Sequence, residues 1–381
     1  MEKQILEDSG SINCSDVVKL NDTDYGNCSI TFDGNTAKVT LIGKGKFEGL
    51  QIINGTKDNA TAGEVKMPEY GKGTTFIKAL YDSEILRAAN GLKKDNTSDA
   101  NIRYEGSNPN NYVSFNDELW RIIGVFGDNI KLVRTEELGK LSWDSSDSSV
   151  NAGWGVNEWS QSDLKEYLNT MYYGGISVTC YSDSNNSTTI CPTGSLNSTA
   201  KSMINNYTWN TGAINYDDTN IIQKDVFNTV AFYNAERGSV IGKLCSAVEG
   251  ICNDTVTRTT TWKGYVALPY MTDWAYASSE SVCALNMYQP EESENGFLTC
   301  NNNNWIFNSD TSPKIMWTLS PLASPSDASS AMEVWHTNGN GEALYSFEAA
   351  HPLSVFPTVY LNSNVEITGG TGTSSDPYIL N

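Results

Sequence analysis

Charge is scarce in this sequence, and positive charge scarcest. Only 18% of its 381 residues are Asp, Glu, Lys or Arg, and 45 acidic residues against 25 basic ones give a formal net charge of −20. No basic run gathers Lys or Arg against that excess. A phosphate backbone would be repelled, which excludes nucleic-acid binding, and anionic membrane surfaces are disfavoured on the same ground. Histidine occurs twice, at His336 and His351. A catalytic triad would have to use one of them, and neither a G-x-S-x-G elbow nor an H-E-x-x-H helix is present to place it. The absence of any C-x2-C pair leaves a zinc site without its usual ligands. GKGKFEGL (43–50) and GGTGTSSDPY (369–378) are Gly-rich but match no phosphate loop, and they read as turns. No cofactor, no metal and no enzymatic activity are therefore expected. Carboxylates are plentiful, so a carbohydrate-acting enzyme stays as an alternative. No long hydrophobic run occurs. The N-terminal MEKQILEDSG is too charged for a signal peptide or a membrane span, so an exported protein starting this way would be a mature or truncated form.

What is abundant points the other way. Hydrophobic residues make up 39% and aromatic residues 10%, including 10 Trp and 19 Tyr, which is enough to build a core. Many Asn, Ser, Thr and Tyr with little charge resemble a secreted surface. Eight cysteines fall as four close neighbours: Cys14 with Cys28, Cys180 with Cys191, Cys245 with Cys252, and Cys283 with Cys300. Eight cysteines allow 105 pairings, and nearest-neighbour pairing is the simplest of them. Each bridge would close a short loop and contribute roughly 2–3 kcal/mol. Such bridges persist in oxidising compartments, which implies an extracellular location. N-x-[ST] sequons, for example at Asn27, Asn54, Asn59, Asn96, Asn186 and Asn206, would be glycan sites in a eukaryotic secreted protein; in so Asn-rich a chain they also arise by chance.

Along the chain, residues 2–8 read as the end of a helix. Alternating stretches at 28–32, 37–43 and 47–53 predict antiparallel strands with turns at Asp33-Gly34 and Gly43-Lys44-Gly45, and 54–64 reads as a linker by composition. Beyond it, apolar spacing at Ile77, Leu80, Ile85 and Leu86 predicts a helix over 76–92 with a glycine near its end. Residues 118–138 predict a hairpin about Gly127-Asp128-Asn129, and 160–173 a helix with Ser160 as N-cap. YVALPYMTDWAYA (265–277) and NNNNWIFN (301–308) are apolar runs, and 361–380 reads as a strand, a Gly-rich turn and a closing strand. WDSSDSS (143–149) lacks the D-x-[DN]-x-[DN]-G pattern, so it is a solvated turn before it is a weak calcium loop. Trp120, Trp143, Trp159, Trp262, Trp274, Trp305 and Trp317 are candidates for core packing. Trp335 lies among polar and small residues and two glycines, where an aromatic is either a recognition anchor or a core residue.

Several motifs occur in order: NPNNYVSFNDELWRIIGVF (108–126), KLVRTEELGKLSWDSS (131–146), WKGYVALPYMTDWAYA (262–277), NNNNWIF (301–307), WTLSP (317–321) and PTVYLNSNVEITGGTGTSSDPYIL (357–380). Together they resemble the C-terminal module of surface proteins from gut Firmicutes, similar to targets of diversity-generating retroelements whose last domain is C-type-lectin-like. Residues 1–55 resemble the tail of a type IV pilin-like protein. The resemblance implies an α+β chain, with a small pilin-like antiparallel β domain and linker at 1–66. A C-type-lectin-like ligand-binding domain at 67–381 would follow, with its variable region at 322–356. It implies an extracellular, cell-surface or pilus-borne adhesion protein that contacts a protein or glycan on another cell or phage, with other pilin subunits as a second class of partner. A structural type IV pilus subunit is the alternative within the same resemblance. The ligand-facing residues it implies are Asp327, Ser329, Trp335, His336, Asn338, Asn340, Glu342, Tyr345 and Phe347. Met332, Val334 and Val355 would hold the scaffold. Phe356 stands where the family's R-P-V-V-Y-L pattern carries Arg, so any ion pair of that Arg is lost.

Overall fold

The structure is a computed structural model. It describes residues 67–146, 153–215, 228–238, 259–280, 283, 300, 302–306, 315–323, 333–336 and 345–381, together with strands at 12–13, 19–20, 23–24, 27–33, 36–42, 50–54 and 61–65.

The N-terminal strands follow the alternation in the sequence. Strands β1 (Asn27–Asp33) and β2 (Thr36–Ile42) pair antiparallel, with Asp33 opposite Thr36, and Ile12–Asn13 adds to the far side of β1. Strand β3 (Leu50–Asn54) pairs with β4 (Thr61–Val65), Leu50 lying opposite Val65. The stretch expected to be a linker therefore contains a strand. Its Thr, Ala, Gly and Val carry too little hydrophobic contrast for alternation to show, and pairing with β3 decides it.

The second part is built on a ten-stranded, mainly antiparallel sheet. Its strands are β5 (Gly71–Lys72), β6 (Leu92–Lys94), β7 (Ile102–Tyr104), β8 (Tyr112–Phe115), β9 (Glu118–Phe126), β10 (Asn129–Arg134), β12 (Val266–Ala267), β16 (Thr358–Tyr360), β17 (Glu366–Gly369) and β18 (Tyr378–Leu380). The order is β12-β16-β10-β9-β8-β18-β17-β5, with β7 and β6 extending from β9. A separate sheet contains β11 (Ile214–Asn215), β13 (Trp317–Ala323), β14 (Glu333–His336) and β15 (Tyr345–Glu348). The mixed α+β class is thus present, strand-rich and with few helices.

The expected hairpin is β9–β10, joined by Gly127-Asp128 with Phe126 opposite Asn129. Gly127 has φ +60°, the left-handed region that a two-residue loop beginning with Gly requires. Strand β9 has three neighbours: β10 on one edge, with a bulge between Ile122 and Gly124, and β8 and β7 in succession on the other. Its first half pairs with β8 and its second half with β7. A Cβ on Gly124 would lie 2.3 Å from the carbonyl oxygen of Ile102, so only glycine lets β7 approach. The β8–β9 turn, Asn116-Asp117, has φ +59° and +58° and is a second tight hairpin that was not expected.

The helix expected over 76–92 divides at Ser83. Helix α1 (Gly73–Asp82) ends there, and the Ser83 hydroxyl accepts from Leu86 N to start α2 (Glu84–Asn90), which ends at Gly91. The helix expected over 160–173 begins at Asp163. Its N-cap is Ser162, which accepts from Lys165 N, rather than Ser160, which donates to Glu158. This helix, α3 (Asp163–Glu166), continues as a π-helix over Tyr167–Tyr173. The other α-helices among the described residues are α4 (Ser198–Met203), α5 (Thr229–Glu236) and α6 (Met271–Tyr276).

One continuous core joins both sheets and the helices. Trp120, Trp143, Trp159, Trp274, Trp305 and Trp317 are buried in it and Trp262 packs against it, as expected of them; Trp209 is buried too. Bridges join Cys180 to Cys191 and Cys283 to Cys300, two of the four expected pairs. The other two expected pairs fall outside what is described. Cys28 stands on β1 opposite Leu41, but its side chain is not among the described ones, and Cys14 lies outside the described residues. Cys245 and Cys252 both lie outside the described residues as well. Among the described residues, no group of His, Cys, Asp and Glu could hold a metal ion, and no helix is long and apolar enough to cross a membrane.

Candidate ligand-binding surface

The stretch expected to face a ligand begins on β13, which is tied down along its length. Trp317 is fully buried and its indole N–H donates to Leu141 O at 2.9 Å; the indole of Trp143 donates to Thr318 O at 3.2 Å. Leu319 N donates to Pro269 O, and Asn157 Nδ2 donates to Leu322 O at 2.7 Å. The Ser320 hydroxyl donates to Glu236 at 2.9 Å, and Glu236 also accepts from the Thr272 hydroxyl at 2.6 Å. Burial pushes the Glu236 carboxyl above its ordinary range.

Past β13 the chain returns as β14 and β15. The register sets Glu333 opposite Glu348, Val334 opposite Phe347, Trp335 opposite Ser346 and His336 opposite Tyr345. Four of the nine expected contact residues, Trp335, His336, Tyr345 and Phe347, therefore stand on two adjacent, paired strands. Asp327, Ser329, Asn338, Asn340 and Glu342 lie outside the described residues, as does Met332. Val334 and Val355 are fully buried, which fits their expected scaffold role.

Phe347 is 40% exposed. Its ring lies 4.9 Å from that of His351, which lies 5.3 Å from the half-buried Trp154. Glu348 meets His351 Nε2 at 3.0 Å. The result is a surface row of three aromatic rings with a carboxylate at its edge. Trp154 and His351 were not among the expected contacts. Trp154 lies nearly two hundred residues earlier in a Gly-rich run, and only the fold brings it there: Ala350 N donates to Trp154 O at 3.1 Å. The row stands on a fixed base. Trp143 N and Asp144 N both donate to Ala349 O, the Ser142 hydroxyl donates to Ala350 O, and Leu138 N donates to Val355 O. Phe356, where the family pattern has Arg, is buried in the core.

The described part of the run at 143–149, residues 143–146, is tied locally. Asp144 accepts from Ser146 N and Oγ and from Val156 N, and Asp163 accepts from Ser145 N and Oγ. Burial, with the charge of Asp163 adding to it, raises the Asp144 carboxyl above its ordinary value. One of these bonds, from Val156 N, lies two residues past Trp154.

Within the core lies a buried ionic network that sequence patterning did not suggest. Arg103 Nε bonds Asp95 at 2.7 Å, and its Nη1 bonds Asp273 Oδ1 at 2.9 Å. Lys131 Nζ bonds Asp273 Oδ2, and all four side chains are almost wholly buried. Burial pushes the Asp273 carboxyl up, but Lys131 and Arg103 together hold it below its usual range. Burial drives Lys131 from 10.5 down to about 8 against the opposing pull of Asp273.

No family model, curated protein or solved structure matches this chain.

Proposed function

We propose that this chain is an extracellular ligand-binding or adhesion protein whose recognition surface is centred on the β14–β15 hairpin and the Trp154–His351–Phe347 row. In this reading residues 322–356 form the variable surface of a C-type-lectin-like domain, and the N-terminal strands belong to a pilin-like part. The observation that carries the reading is the contrast between the ring row and its base: Phe347 reaches solvent, while Val334, Ala349, Ala350 and Val355 beneath and beside it are buried. Rigid aromatic side chains on a fixed base offer contact area at low entropic cost, as in adaptable paratopes. The bridges at Cys180–Cys191 and Cys283–Cys300 are compatible with an extracellular setting.

Sequencing the same gene from related strains tests the variable-surface reading. Differences are expected to concentrate in 322–356, and an even spread along the chain would sink it. A direct test screens the labelled protein against a printed glycan array and a panel of bacterial cells. Any signal found for the wild type should fall at least tenfold in Phe347→Ala and Trp154→Ala, with melting temperature little changed in Phe347→Ala.

A further inference from the structure

Lys131 is buried without an outlet to solvent, in an interior strand of the larger sheet. Its Nζ lies 4.1 Å from the ring centre of Tyr270, 5.2 Å from Tyr360, and 5.5 Å from both Phe126 and Trp209. Within this aromatic enclosure it touches one oxygen of Asp273. The Asp273 carboxyl is itself fixed: Arg103 Nη1 donates to Oδ1 at 2.9 Å and Tyr270 N donates to Oδ2 at 2.9 Å. A primary amine and a carboxyl are thus held in contact and shielded from water.

We propose that Lys131 and Asp273 condense after folding into an intramolecular amide bond joining strand β10 to helix α6. Three conditions for that reaction meet here. The partners are already oriented, and oriented pairs react as if at effective concentrations of about 10⁵ M or more. Arg103 donates to the oxygen that becomes negative when nitrogen adds to the carboxyl carbon, which is where a fixed cation lowers the barrier. The enclosure excludes water, so the product is protected from hydrolysis. Burial also favours the neutral amine, the nucleophilic form.

The step needs no further reagent. A proton passes from the Lys131 ammonium to Asp273 Oδ2 along their hydrogen bond. The freed nitrogen lone pair attacks Asp273 Cγ, and Arg103 holds the charge that gathers on Oδ1. The Cγ–Oδ2 bond then breaks and Oδ2 leaves as water, taking a second proton from nitrogen. An ammonium and a carboxylate have become one amide and one water, with the third proton left on the amide nitrogen. Oδ1 stays in place as a carbonyl acceptor for Arg103.

The test is the intact mass of the full-length protein, folded, then denatured and reduced. It is expected to fall one water below the sequence mass. A tryptic digest should contain a branched peptide linking Lys131 to Asp273, uncut after Lys131. Lys131→Arg, which keeps the cation, should restore the full mass. A wild-type protein at its full sequence mass, with linear peptides ending at Lys131, overturns the proposal. So does a water loss that persists in Lys131→Arg, since it must then arise elsewhere in the chain. Neither result bears on the ligand-binding reading, which rests on the β14–β15 hairpin of the second sheet.

Discussion

Single residues carry two kinds of burden in this protein, and pH separates them. Asp95 is held by Arg103 and by hydrogen bonds from Thr97 and Asn101. Burial raises its carboxyl, but Arg103 and those bonds outweigh burial and bring it below 3.8. The stabilisation this gives is complete above 3.8 and is lost as pH falls through the lower value of the folded state. Urea unfolding above and below 3.8 should show the loss, and in Asp95→Asn that acid-side slope should be shallower. At neutral pH the same variant should cost about 3–5 kcal/mol, because it leaves Arg103 underpaired in the core. Phe347 is the reverse case. Its truncation to alanine should cost about 1 kcal/mol, less than a fully buried Phe, since 40% of its surface already meets solvent. The resemblance in the flanking motifs is enough to name Phe347 and Trp335 as candidates. It is not enough to name Trp154, whose partner is reached only through the fold, nor to read Phe356 as a core residue rather than a missing cation.

At the scale of elements, local signals are legible where the chain decides by itself. The β9–β10 hairpin, the closing β17–β18 pair and the glycine ending α2 all follow from turn residues and alternation. The cap of α3 lies two residues past the expected Ser160 because Glu158 captures the Ser160 hydroxyl and leaves Ser162 to start the helix. The Asn116-Asp117 turn is a local signal that went unread, since Asn and Asp tolerate positive φ better than most residues. Gly124 is the element-level hinge of the architecture. Gly124→Ala should force β7 away from β9 and lower stability by at least about 1–3 kcal/mol, read as a drop in melting temperature. Leu319→Ala in β13 should cost about 2–5 kcal/mol by the cavity it leaves, as Leu319 is fully buried. It should also weaken any binding by the hairpin that β13 supports.

At the scale of the whole molecule, the described disulfides and the β14–β15 hairpin are placed apart in the chain. The Cys180–Cys191 and Cys283–Cys300 bridges lie before β13, and the described strands β14 and β15 are held by their pairing with β13 and with each other. Replacing either bridge by a serine pair should cost about 2–4 kcal/mol in chemical denaturation under non-reducing conditions. The β14–β15 hairpin should keep its register in both variants, as judged by unchanged protection of the β14 and β15 amides from exchange.

Composition and spacing alone determined an acidic, aromatic-rich chain and its main hairpins, and they named as nearest neighbours the two cysteine pairs that are bridged, Cys180–Cys191 and Cys283–Cys300. Those properties depend on residues a few positions apart, where steric and turn preferences act directly. Only the tertiary structure decided that β18 runs parallel beside β8, that Arg103 reaches Asp273 across 170 positions, and that Lys131 reaches it across 142. Contacts at such separations are set by which apolar faces bury one another, and no local pattern records that choice.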